Sequence, residues 1–234
     1  MVGIGGGNRL AHSDESSNQA DHRALLGVAL SKLPSDWHRL AFGLACCERV
    51  YGNYLELFRA AGVPTQGDTR RAMDAFWSSI GSREINIDLD QLYVEIVGIA
   101  LEEEEFSGIT QPPFGVAMAY LDAFLNLVKY AQSRDISFLL KCADWSLESV
   151  RDFIFQKSVR ESGLDFSKHS EKTSRSWNDI VQRVDASLEY SSEKSWQLET
   201  ATSIENMRDL TGANIDKIRL LATPSNQSNL GYET

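Results

Sequence analysis

Residues 37–54 read Trp37-His38-Arg39-Leu40-Ala41-Phe42-Gly43-Leu44-Ala45-Cys46-Cys47-Glu48-Arg49-Val50-Tyr51-Gly52-Asn53-Tyr54. Trp37, Leu40, Ala41, Leu44, Cys47, Val50, Tyr51 and Tyr54 recur at three- and four-residue intervals, and Leu55 and Phe58 extend the series. That spacing gives one broad apolar face of a helix. Ser35 can cap its start, and Gly62 followed by Pro64 supplies its stop. Glu48 and Arg49 fall in the middle of this helix. A charge at such a place needs an opposite partner at the interior or its rim. Asp122, on a second apolar helix, is the expected partner of Arg49.

The same period continues outward. Leu25, Leu26, Ala29, Leu30 and Leu33 form a first helix that Pro34 ends. A third runs from about Asp68 to Ile80 with Gly81 after it, and a fourth from Asp88 to Glu104 with Leu89, Leu92, Tyr93, Ile96, Ile99 and Ala100 on its stripe. Pro112-Pro113 suits the first turn of a fifth, ending near Gln132. A sixth spans Ile136 to Glu161 before Gly163, and the more polar stretch Ser170 to Leu210 reads as one long helix or two, with Gly212 as the break. No alternating strand pattern of useful length interrupts them. The expected fold is all-α, a single bundle of about seven helices over residues 21–222. Residues 1–20 and 223–234, rich in Gly, Ser and Asn, read as a flexible arm and a disordered tail.

A chain of 234 residues with 42% hydrophobic and 24% charged content builds one sizeable core. No apolar run approaches the roughly 18 residues needed to cross a bilayer. The first residues lack the charged start and apolar centre of a secretion signal, so no membrane association and a cytoplasmic location are expected. Cys46 and Cys47 diverge by about 100° on a helix and cannot bridge without strain. With Cys142 far away in sequence, three reduced thiols are expected.

Charge is the more informative quantity. The chain carries 33 acidic against 23 basic residues, a net charge of −10. Glu84, Asp88, Asp90, Glu95, Glu102, Glu103, Glu104 and Glu105 follow one another with no Lys or Arg among them. Such a field repels phosphate backbones and attracts basic protein surfaces, so nucleic acid is excluded as the expected partner and a basic protein favoured.

Chemistry is harder to find. Gly3-Ile4-Gly5-Gly6-Gly7-Asn8 lacks both the last glycine and the preceding strand of a dinucleotide fingerprint. His12, His22, His38 and His169 have no Glu three residues before them, which removes a di-iron bundle site. No Cys-x-x-Cys or paired His spacing supports zinc, and the run Glu102–Glu105 lacks the Gly and Asn that let a loop wrap a cation. Cys46 or Cys47 with His38 is conceivable as a thiol site, but both fall on the apolar face, where small buried thiols are common. The expectation is no catalytic residue, no metal and no cofactor.

The pattern Trp37-x4-Phe42-x2-Ala45-Cys46-Cys47-Glu48-Arg49-x-Tyr51-x-Asn53-Tyr54 resembles the YjaG-like family of uncharacterised bacterial proteins, domain of unknown function 416. Agreement continues through Arg71-Ala72-Met73-Asp74-Ala75-Phe76-Trp77 and resumes at Phe114-Gly115-Val116-x3-Tyr120-x-Asp122-Ala123, covering about residues 30–215. Gly52 departs from the family's usual proline. The resemblance implies an all-helical fold and no established activity or cofactor. It marks Trp37, Glu48, Arg49, Tyr51, Asn53, Tyr54 and Asp122 as a structural family motif.

Two functions fit these features. The first is a non-enzymatic interaction protein, specifically an immunity protein that neutralises a basic nuclease-type bacterial toxin. Glu84, Asp88, Asp90 and Glu102 to Glu105 would then form the contact surface. The alternative is a housekeeping protein of the same family with an unknown partner or ligand.

Overall fold

The computed structural model describes residues 17–62, 64–65, 69–99, 106, 114–163 and 171–232. Among these residues nine α-helices form, two more than the sequence pattern suggests, and no strand. They are α1 (Ser17–Lys32), α2 (Asp36–Ala61), α3 (Thr69–Ser82), α4 (Leu89–Val97), α5 (Phe114–Ser133), α6 (Ile136–Ser162), α7 (Glu171–Asp185), α8 (Leu188–Glu205) and α9 (Gly212–Ala222). The additional helices arise because the polar stretch after 170 breaks at Ala186-Ser187, where Ser187 caps α8 by accepting from the Tyr190 N–H, and because α8 ends at Glu205 and Gly212, expected as a break, instead begins α9.

α2 is the axis of the bundle. It is buried around nearly its whole circumference through Leu40–Glu48 and Val50–Tyr54, and it packs against α3, α5, α6, α8 and α9. A helix apolar on one side only could not sit there; α2 can because Ala41, Gly43, Ala45, Cys46 and Gly52 keep its other sides thin. Gly43 marks the closest approach. A methyl group there would lie 2.6 Å from Leu127 Cδ1 and 2.8 Å from Leu139 Cδ2, on α5 and α6. At its C-terminus Gly62 takes φ 69°, a left-handed cap that glycine adopts without a steric cost.

Three boundaries differ from the sequence expectation. α3 passes through Gly81 to Ser82, and Arg83 takes the left-handed conformation (φ 57°) that ends it. α4 stops at Val97, with Gly98 as its cap, rather than running to Glu104; the segment Glu102–Glu105 lies outside the described residues. α1 begins at Ser17, inside the stretch expected to be an arm.

The C-terminal segment departs further. Expected to be a disordered tail from 223, it turns at Pro224–Asn226 and returns across α2 and α6 as an ordered strap through Tyr232. Asn229 N–H donates to the Arg49 carbonyl (2.8 Å), Asn53 Nδ2 to Asn229 Oδ1 (2.9 Å) and Ser228 Oγ to Asn53 Oδ1 (2.7 Å). Asn229 Nδ2 also donates to Ser149 Oγ (2.9 Å) and the Ser146 carbonyl (3.2 Å). Asn53 is fully buried, so its amide must find partners inside the protein. Its polar composition, which made the tail look disordered, is what suits it to this place.

Replacing Gly43 with Ala should destabilise the fold despite alanine's helix preference. Moving two core leucines costs ~1–3 kcal/mol, against about 1 kcal/mol gained from propensity. Denaturant unfolding should show a net loss of about 1 kcal/mol; a gain in stability would contradict the close approach of α2 to α5 and α6.

Candidate functional site

Two polar clusters grow from the middle of α2. The first centres on Glu48, which is buried and faces α3 and α9. Trp77 Nε1 donates to its Oε1 (2.9 Å) and Arg70 Nη1 to its Oε2 (2.8 Å), with Arg219 Nη2 3.4 Å from Oε1. Arg70 and Arg219 also share Asp74: Arg70 Nη2 lies 3.0 Å and Arg219 Nη2 3.1 Å from Asp74 Oδ1. The Arg70 guanidinium lies 5.5 Å from the Tyr51 ring centre and that of Arg219 5.8 Å from the Trp77 ring. Charges of the two signs, on three helices, therefore meet at one point half open to solvent. Two adjoining grooves of about 520 and 560 Å³ open there, and Arg70 and Arg219 line both.

The second cluster corrects the expected Arg49–Asp122 pair. Arg49 Nε donates to Glu193 Oε2 of α8 at 2.9 Å, and Nη1 to the Ala222 carbonyl at 3.2 Å. The guanidinium stacks 4.5 Å from the Trp196 ring centre, and Trp196 Nε1 donates to the Leu221 carbonyl. Glu193 is 1% exposed and also accepts from Ser146 Oγ. Burial pushes its carboxyl above the usual range, with Arg49 and Ser146 opposing the push. Asp122 sits on α5, half-buried, while its carbonyl receives Asn126 Nδ2. Arg49 reaches the later helix because α8, rather than α5, carries a buried acid beside it; no sequence period distinguishes the two.

Other motif residues make ring contacts within the bundle. Tyr51 and Tyr54 pack on Tyr120 at 5.1 and 5.0 Å between ring centres, and Arg134 lies 5.8 Å from the Trp37 ring. The thiols are sealed in the core: Cys46, Cys47 and Cys142 are fully buried, and burial raises each above its ordinary pKa. Cys142 Sγ donates to the Ala123 carbonyl. His38 turns to other partners, its Nε2 donating to the Met207 carbonyl (3.1 Å) and its Nδ1 accepting from Ser35 Oγ (2.7 Å). A buried thiol with a raised pKa and no imidazole on it is a poor nucleophile.

Of the acidic residues expected to meet a partner, Glu84, Asp88 and Asp90 are described, and all three are exposed. Asp88 caps α4, accepting from the Asp90 and Gln91 N–H groups, and Asp90 receives Gln132 Nε2 at 2.7 Å. Val94 and Val97, which the sequence pattern left unassigned, are 67% and 56% exposed on the same helix.

The family described as Protein of unknown function (DUF416) matches residues 28–233. The crystal structure of a DUF416 family protein from Shewanella baltica OS155 superposes with a TM-score of 0.65 at 19% sequence identity, covering 89% of this chain and 98% of that one. At that identity the likeness extends to the fold. No curated protein matches the chain.

Arg49→Met should leave Glu193 buried without its cation, at a cost of ~3–5 kcal/mol. Thermal unfolding should show a large fall in Tm, much of it recovered when Glu193→Leu is added; an unchanged Tm for the single variant would contradict the pair. Burial also lowers the pKa of His22, despite its bond to Gln197, and that of His38, despite its bond to Met207. The unfolded chain thus binds protons more readily than the folded one just below the ordinary histidine pKa of about 6.5. The stability they contribute is complete above that value and lost as pH falls through the folded pKa. Chemical denaturation between pH 7.5 and 5.5 should show this loss, and His38→Gln should reduce its slope; an unchanged slope would contradict the burial argument.

Proposed function

The chain belongs to the DUF416 family, and from that premise we propose that it works by binding another protein, without catalysis, in the cytoplasm. The observation that carries this reading is the outer face of α4. Asp90, Val94 and Val97 follow at intervals of four and three, which places them on one side of the helix, and Gln91 and Glu95 run beside them. Both valines are more than half exposed, Glu84 and Asp88 precede the helix, and the sequence places Glu102–Glu105 a few residues after it. Apolar side chains rimmed by charge of one sign are the composition of a docking surface.

The chemistry complementary to it is a basic protein surface with a small apolar centre. A nuclease toxin has such a surface because its own substrate is a polyphosphate, and an acidic protein that covers it both steers to it quickly and occupies its charge. Neutralisation of such a toxin is the specific function we infer. The α2 clusters then serve to hold the scaffold behind the face.

The test uses the partner captured from the native host on the immobilised protein. Replacing Glu84, Asp90 and Glu95 together with Lys, while leaving the capping Asp88, should slow association about tenfold or more at low salt and abolish most of its salt dependence. Val94→Asp should raise the dissociation rate. Association unaffected by the triple replacement would contradict the assignment of this face.

A further inference from the structure

Arg219 is held in place more completely than it is used. Asp74 and Glu48 fix its Nη2, and the Trp77 ring lies against its guanidinium, yet its Nε and Nη1 have no hydrogen-bond partner among the described residues. Arg70 differs: its Nε, Nη1 and Nη2 all donate to Asp74 or Glu48. Both side chains remain 34% exposed, so the unspent donors of Arg219 are within reach of solvent.

The surroundings favour a ligand over water alone. The charged residues lining the first groove, among those described, are Arg70, Arg219 and Asp74; with Glu48, which both arginines also meet, the cluster is electrically balanced, so the unspent donors of Arg219 rather than a net charge offer an anion its contacts. In the adjoining groove Glu48 and Asp216 balance the two arginines, and Tyr51, Leu55 and Leu220 supply an apolar wall. Leu220 is 64% exposed there. Each groove has the volume of a small-molecule site. A free surface arginine loses much side-chain entropy on binding; one already pinned by two carboxylates and a ring loses little.

We propose that this groove binds a small molecule carrying an oxyanion, a phosphate or a carboxylate, through Nε and Nη1 of Arg219, with the apolar remainder of the molecule against Tyr51, Leu55 and Leu220. The site is separate from the α4 face, and either assignment stands without the other.

The Trp77 indole N–H, bonded to Glu48 within this cluster, is the reporter. Its ¹H–¹⁵N resonance is followed while sodium phosphate or sodium acetate replaces sodium chloride at constant ionic strength in the intact chain. A saturable shift with one anion is expected, and the stronger of the two identifies the head group. Arg219→Lys keeps the charge but loses the planar fork, and should weaken binding at least about tenfold. Leu220→Asp puts a carboxylate on the exposed wall of the groove, leaves every member of the cluster intact, and should weaken it likewise. No saturable shift with either anion, or equal shifts in the wild type and both variants, would overturn the proposal.

Discussion

A helix that is buried on all sides cannot carry a charge without dictating what surrounds it. The enclosed middle of α2 carries two, Glu48 and Arg49, and adds the fully buried amide of Asn53. Each must be matched inside the protein, since unpaired they would cost several kcal/mol apiece. Four later segments provide the match: α3 and α9 for Glu48, α8 for Arg49, and the C-terminal strap for Asn53. The placement of α8, α9 and the C-terminal strap answers these three demands together with their own apolar packing.

That dependence makes α2 the axis on which the rest of the bundle is assembled. Glu48, Arg49 and Asn53 are spaced so that their side chains leave α2 in different directions, and each receives a different part of the C-terminal half. Arg49 ties three of these parts together: its side chain meets Glu193 of α8 and Ala222 at the end of α9, and its carbonyl receives the strap at Asn229. α8 extends the same logic, with Gln197 receiving His22 Nε2 from α1 and donating to the Ala143 carbonyl of α6.

The fold class and most helices of the first 160 residues were legible because each has a strong apolar period and an audible stop, as at Pro34, Gly62 and Gly163. The partner of Arg49 was not, because Asp122 and Glu193 are equally plausible acids in sequence and only packing brings one beside it. Nor was the strap: Ser228 and Asn229 read as disorder when isolated, and become structure only beside Asn53, Ser146 and Ser149. The Glu48 cluster draws on residues 48, 70, 74, 77 and 219, and no local pattern announces a meeting of residues so far apart. The acidic face was half visible, its charges plain from composition and its exposed valines hidden within an ordinary helical stripe.

The polar groups of α2 hold the C-terminal segment to the bundle, and backbone hydrogen exchange measures this directly. The Asn229 amide, bonded to the Arg49 carbonyl, should exchange far more slowly than an unprotected amide, and Asn53→Ala should accelerate it while leaving the α5 and α6 amides protected. Exchange at Asn229 as fast as in an unstructured peptide, or unaltered by loss of Asn53, would contradict the claim.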